Sequence, residues 1–235
     1  MIYVTGDTHG DIRRFYSTYP GEYNRTCVNK LKAGDKLIVC GDFGFVFYRE
    51  DSEYYEDEML ALEYLKKLPY EVLFVSGNHE NFVRLKQYPT EVRYGGNVKR
   101  INDNVFLLMR GQCFEIEGKT FFTMGGAYSV DKKYRTENID WWSDELPNSE
   151  EYRTAAETLE RINYEVDYII THTAPQAMIQ RMGCTPNYHD SELTGFLDWI
   201  WYEVDFKHWY FGHWHEDRQI DYKATVCLYE QHLIE

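Results

Sequence analysis

The chain has 235 residues, 43 % hydrophobic and 27 % charged, with a formal net charge of −14. That size and composition suit one globular α/β domain over residues 1–235, and no Pro/Gly/Ser-rich linker divides it. The acidic balance argues against a protein that coats nucleic acid, which needs a basic face to release counterions, and no apolar run nears the ~20 residues of a membrane span.

The five cysteines are odd in number, irregularly spaced and free of any CxxC pair. A disulfide framework or thiolate zinc site is therefore not expected. Residues 1–4 enter an apolar run with no basic leader, so the expectation is a soluble, cytoplasmic protein without a membrane partner.

In chain order, the apolar run 2–4 reads as a strand and leads into Gly6-Asp7-Thr8-His9. A second run, 36–39, leads into Gly41-Asp42. Residues 52–68 carry Tyr55, Met59, Leu62 and Leu65 at helical spacing, and Pro69 closes the pattern. The run 72–75 leads into Gly77-Asn78-His79-Glu80. Several of these runs are continuous rather than alternating, as expected for parallel strands covered on both faces.

Residues 95–126 differ. Gly95-Gly96, Asn102-Asp103-Asn104 and Glu117-Gly118 punctuate β-rich runs at 105–109 and 120–124, which predicts hairpins and an antiparallel portion of sheet. Residues 127–147 form a polar, aromatic stretch without a period, read as a loop insertion. A helical stripe follows over 149–164, with Ser149 as its candidate N-cap. The run 168–170 enters Thr171-His172-Thr173, and after a helical pattern over 191–204 the run 209–211 enters Gly212-His213-Trp214-His215. A last apolar run spans 225–229.

The recurring unit is a strand followed at once by a metal-ligand residue type. The carboxyl ends of parallel strands share one sheet edge, so Asp7, Asp42, Asn78, His172 and His213 are expected to converge there. Asp7 and His9 are two residues apart, as are His213 and His215, so each pair is expected to grip metal from one side. Five of the eight histidines fall in these stretches, whereas His189, His208 and His232 do not. A mixed nitrogen and oxygen donor set suits manganese, iron, zinc or cobalt better than magnesium or calcium.

The blocks Asp7-x-His9, Gly41-Asp42, Gly77-Asn78-His79-Glu80, His172 and Gly212-His213-x-His215 resemble, in order, the signature of the calcineurin-like metallophosphoesterase superfamily. The resemblance implies a four-layer α/β/β/α sandwich with mixed sheets and a dinuclear metal site at the carboxyl ends of the strands. It places Asp7, His9 and His215 on one metal, Asn78, His172 and His213 on the other, and Asp42 between them. It implies two divalent or trivalent ions and hydrolysis of a phosphoester, by a phosphatase or phosphodiesterase, with a metal-bridging hydroxide as nucleophile and His79 as the catalytic histidine. Phosphoester partners would be small molecules or phosphoproteins.

One departure stands out. The protein phosphatase branch carries Asp-Arg-Gly soon after its second Gly-Asp, where this chain has Phe43-Gly44-Phe45-Val46-Phe47. The phosphate clamp must then come from elsewhere. Arg84, Arg110 and Arg135 are candidates, and Arg135 is preferred. The alternatives are a nuclease of the same superfamily, which the net charge disfavours, and a non-catalytic scaffold, which should have lost ligands.

Overall fold

A computed structural model describes residues 1–17, 27–28 and 30–235. In chain order its elements begin with β1 (Ile2–Thr5), β2 (Lys36–Val39), α1 (Tyr55–Leu65), β3 (Glu71–Phe74) and α2 (Phe82–Gln87). Next come β4 (Thr90–Arg93), β5 (Gly96–Arg100), β6 (Val105–Leu108), β7 (Gln112–Ile116), β8 (Lys119–Met124) and α3 (Ser149–Arg161). The chain continues with β9 (Glu165–Thr171), α4 (Gln176–Arg181), α5 (Ser191–Glu203), β10 (Asp205–Phe211), β11 (Arg218–Asp221), β12 (Ala224–Val226) and β13 (His232–Ile234).

The strands form two mixed sheets, ordered β13-β1-β2-β3-β6-β5-β4 and β11-β12-β10-β9-β8-β7. In the first, β1, β2, β3 and β6 run parallel between antiparallel β13 and β5, and β4 pairs antiparallel with β5 at the edge. In the second, β8, β9, β10 and β12 run parallel between antiparallel β7 and β11. The expected hairpins are β4–β5, β5–β6 and β7–β8; the chain crosses to the second sheet between β6 and β7 and returns to the first between β12 and β13.

Alternation along the strands builds four layers. Ile2, Val4, Ile38 and Leu73 of the first sheet meet Phe121, Tyr168, Ile170 and Tyr210 of the second in a core between the sheets. Their neighbours Tyr3, Leu37, Val39 and Phe74 face outward onto Leu62 and Leu65 of α1. On the other side Phe122, Ile169, Trp209 and Phe211 pack against Leu159 of α3, Met178 of α4 and Leu197 and Ile200 of α5. Buried on both faces, these strands had to read as continuous apolar runs. The four-layer α/β/β/α arrangement is as expected.

Several boundaries move. The predicted helix 52–68 is α1, Tyr55–Leu65. Ser149 is the first residue of α3, not its cap. Asn148 caps it, accepting from Glu150 and Glu151, while Glu151 reaches back to the cap's own N–H. The insertion 127–147 holds two short 3-10 turns, Lys132–Tyr134 and Ser143–Glu145. None of the five cysteines forms a disulfide. No described helix is long and apolar enough to cross a membrane.

Candidate metal centre

The loops after β1, β2, β3, β9 and β10 meet at one edge of the sandwich. Glycines make the approach close enough. A side chain at Gly77 would begin 2.1 Å from Asp42 Oδ1, and one at Gly212 would begin 2.1 Å from Asp7 Oδ1. The backbone there is also contorted. His9, Asp42, His213 and His215 have φ of 46°, 43°, 67° and 51°. Non-glycine residues seldom adopt this region, at a cost of order 1 kcal/mol each, and such strain gathers at functional sites. It also divides a predicted pair. The His213 ring lies 5.0 Å from the His172 ring, whereas His215 Nε2 lies 3.4 Å from Asp7 Oδ2.

Two clusters result. In the first, one donor atom each from Asp7, His9, Asp42 and His215 falls within 4.8 Å of the others. His9 Nε2 is 3.0 Å from His215 Nε2 and 3.8 Å from Asp42 Oδ2. Two imidazole nitrogens and two carboxylates facing one spot are a donor set suited to a cation.

The second cluster is buried. His172 is fully inaccessible, and its Nδ1 donates to the Cys40 carbonyl at 2.8 Å. A carbonyl only accepts, so Nε2 is the face left for a ligand. It points at Asn78 Oδ1, 3.1 Å away, and Asp42 Oδ1, 3.2 Å away. The Asn78 amide is itself fixed: Nδ2 donates to Ser129 Oγ at 3.2 Å, and Ser129 donates to Glu145 at 2.6 Å. That chain aims the Asn78 oxygen at His172.

Asp42 sits between the clusters. Its Oδ1 accepts from the backbone N–H groups of Asn78 and His79, both at 2.9 Å, and its Oδ2 faces His9. Asp7 accepts from His213 N–H through both oxygens. Arg14, buried below, donates to the carbonyls of Asp7 and Leu228 and so ties the first loop to the chain's end. Glu80 accepts from Phe43, Gly44 and Gly77 N–H and holds the second and third loops together.

The electrostatics follow. Burial opposes charge on Asp42, but the His172 charge and hydrogen bond hold its carboxyl well below the usual range. Burial likewise opposes charge on His172, and the two aspartates overcome it, raising the imidazole to about 10. Burial, with His172 next, pushes His213 down to about 4. The Asp7 hydrogen bond raises His215. Burial, with Asp42 adding to it, raises Glu80 to about 8 against its backbone donors.

His79 lies beside the clusters, its ring 5.1 Å from that of His9. Burial lowers its pKa, with Arg135 contributing in the same direction against Asp42. Arg135 Nη2 approaches His79 Nε2 at 3.3 Å, and the same guanidinium donates to Asp131 and the Asp140 carbonyl. The other two arginines lie elsewhere. Arg84 is buried against Glu58 and the Tyr48 carbonyl, and Arg110 binds Glu151 and the carbonyls of Asp144 and Glu145. All seven expected ligands and His79 thus gather at one edge, with Arg135 alone of the three arginines.

Two clefts flank the centre and share His79. One, of about 440 Å³, contains Asp42, Asn78, Arg135, His213 and His215. The other, of about 410 Å³, runs from His9 and His79 past Phe47 and Tyr48 to Tyr54. Ser129, Glu145 and Arg14 went unnoticed in the sequence, because nothing local distinguishes them from other buried polar residues.

Comparison with known proteins agrees with this geometry. A sequence model described as calcineurin-like phosphoesterase matches residues 1–217. A comparison with curated proteins found no match. Among solved structures, the chain is similar to a candidate 5'-nucleotidase from Staphylococcus aureus, crystallised with alpha-ketoglutarate. The TM-score is 0.53 at 14 % identity, over 97 % of this chain and 48 % of that one. The chain therefore spans about half the length of that structure, and the likeness is one of fold.

Proposed function

We propose, from the premise that this chain belongs to the calcineurin-like phosphoesterase family, that it is a hydrolase of phosphoesters working through two metal ions. Metal dependence and phosphoesterase chemistry come with the family; the number of ions, the residue roles and the substrate are our reading. The observation that carries it is the pair of donor clusters joined by Asp42.

Asp7, His9 and His215 would hold one ion, Asn78, His172 and His213 the other, with Asp42 shared. Manganese, iron or zinc suits these donors. Bound there, such ions polarise phosphoryl oxygens and bring the pKa of water toward neutrality.

The chain's own residues do the rest. In hydrolysis the P–O bond to the leaving alcohol breaks, and water supplies hydroxyl to phosphorus and a proton to the alcohol. His79, at the junction of the two clefts, is placed to deliver that proton to the leaving oxygen or to stabilise its charge. Arg135 stands next to it and lines the same cleft, and its guanidinium suits phosphoryl oxygens better than a lysine would. Glu80 keeps the loops of Asp42 and Asn78 in register. The missing Asp-Arg-Gly segment is consistent with an arginine entering from the 127–147 insertion instead.

The test is hydrolysis of p-nitrophenyl phosphate and its bis ester by metal-stripped protein with each metal restored. Activity that returns with metal and is absent in His79→Ala supports the reading. Metal bound by the protein without hydrolysis of either ester, nor of a panel of natural phosphoesters, would contradict it.

A further inference from the structure

The 410 Å³ cleft has a composition that the hydrolytic centre does not require. From His79 a series of rings leads away from the metal ligands. Phe47 lies 6.1 Å from His79 at 30°, Tyr48 lies 5.4 Å from Phe47, and Tyr54 lies 5.2 Å from Tyr48. Trp142 braces Phe47 from behind at 5.5 Å. Phe47 closes the segment after Asp42 where the phosphatase branch carries its Asp and Arg, and Tyr48 follows it directly.

Beyond the rings the cleft reaches Asp57 and Glu58. Glu58 is occupied by Arg84 and by the Phe47 and Tyr48 N–H groups. Asp57 is exposed and has no ion pair among the described residues. The opposite side of His79 holds Arg135, the cationic partner for phosphate.

Resting on the hydrolase reading, we propose that this cleft is the leaving-group subsite, and that it selects phosphoesters whose leaving alcohol is flat and positively charged. Phe47 and Tyr48 stand at 89° to each other, so a flat group stacks on one ring and meets the edge of the other, and an ammonium carried on it meets the tyrosines and the Asp57 carboxylate that line the same cleft. An anionic leaving group meets like charge at the same place. The ester is thereby oriented, with the phosphoryl group toward Arg135 and the alcohol toward Tyr54.

The test compares kcat/KM for 4-(aminomethyl)phenyl, phenyl and 4-carboxyphenyl phosphate in the metal-loaded protein, its Asp57→Asn variant and its Tyr48→Ala variant. Comparing each ratio between proteins cancels the intrinsic reactivity of the three esters. The amine-to-carboxylate ratio falls about fivefold in Asp57→Asn, as expected for losing one exposed charge contact. Tyr48→Ala raises KM for the amine and phenyl esters. The corresponding phenylphosphonates, bound by the same proteins in a calorimeter, should follow the same order. A ratio unchanged by Asp57→Asn in both experiments overturns the subsite while leaving the hydrolase intact. If no ester is cleaved but the phosphonates bind in the proposed order, the hydrolase reading fails, the leaving-group role falls with it, and only the cleft's preference for a flat cation stands.

Discussion

The two donor clusters share Asp42 but are built differently. His172 and Asn78 are buried, and each has a protein partner that fixes its orientation: Cys40 carbonyl for one, Ser129 and Glu145 for the other. His9 and His215 face solvent, with 35 % and 58 % of their side chains exposed, and touch mainly one another and the aspartates. A preformed cluster spends less ordering entropy on binding, so on the two-ion reading we expect the buried side to be the tighter and slower-exchanging one. The exposed side, open to solvent beside both clefts, is where exchange with the medium is easiest.

Removing the shared residue should erase the contrast altogether. Asp42→Asn takes a carboxylate from both clusters, and we expect kcat/KM for p-nitrophenyl phosphate to fall by more than ~100-fold, beyond the range typical of outer-shell partners. Metal content by mass spectrometry should fall for both ions. Retention of one tightly held ion would mean that Asp42 belongs to a single cluster.

Ser129→Ala acts on one side only. Loss of its hydroxyl frees the Asn78 amide to rotate, and affinity at the buried cluster should weaken by ~10–100-fold while the exposed cluster is unchanged. Competition with a chromophoric chelator measures both. Equal weakening of the two would remove the distinction drawn above.

Arg135→Ala leaves both clusters intact and should lower kcat/KM by ~10-fold, the scale of one charge-assisted hydrogen bond to phosphate, with metal stoichiometry unaltered. Steady-state kinetics checks it, and a change in metal content would place Arg135 in a structural role instead.

The smallest effect is on stability. Asp42 and Asp7 raise His172 from 6.5 to about 10 against burial, so their pairing stabilises the metal-free protein fully below pH 6.5 and is lost as pH rises toward 10. The Tm of chelator-treated protein should therefore decline across that window, and the decline should be flatter in Asp42→Asn.

Most of the site was legible because each ligand follows its strand directly, and parallel strands bring their carboxyl ends together without long-range coincidence. The layers were legible for a similar reason: runs such as 72–75 are apolar on both faces only if both faces are covered. Other features depended on distant packing. The six-residue helices α2 and α4 are too short to display a period. Asn148 rather than Ser149 caps α3 because Glu151 stands three residues after the asparagine, which completes the capping box. Ser129 and Glu145 acquire meaning only when the 127–147 insertion folds under Asn78, and the division of His213 from His215 depends on two positive φ angles that no spacing rule anticipates.

The central claim is most directly tested by titrating metal-stripped protein with manganese in a calorimeter while following p-nitrophenyl phosphate hydrolysis in matched samples. Two unequal binding steps, the tighter first, with hydrolysis appearing on the second, is the result expected from one buried and one exposed cluster. A single ion bound at full activity, or no binding at all, would contradict it.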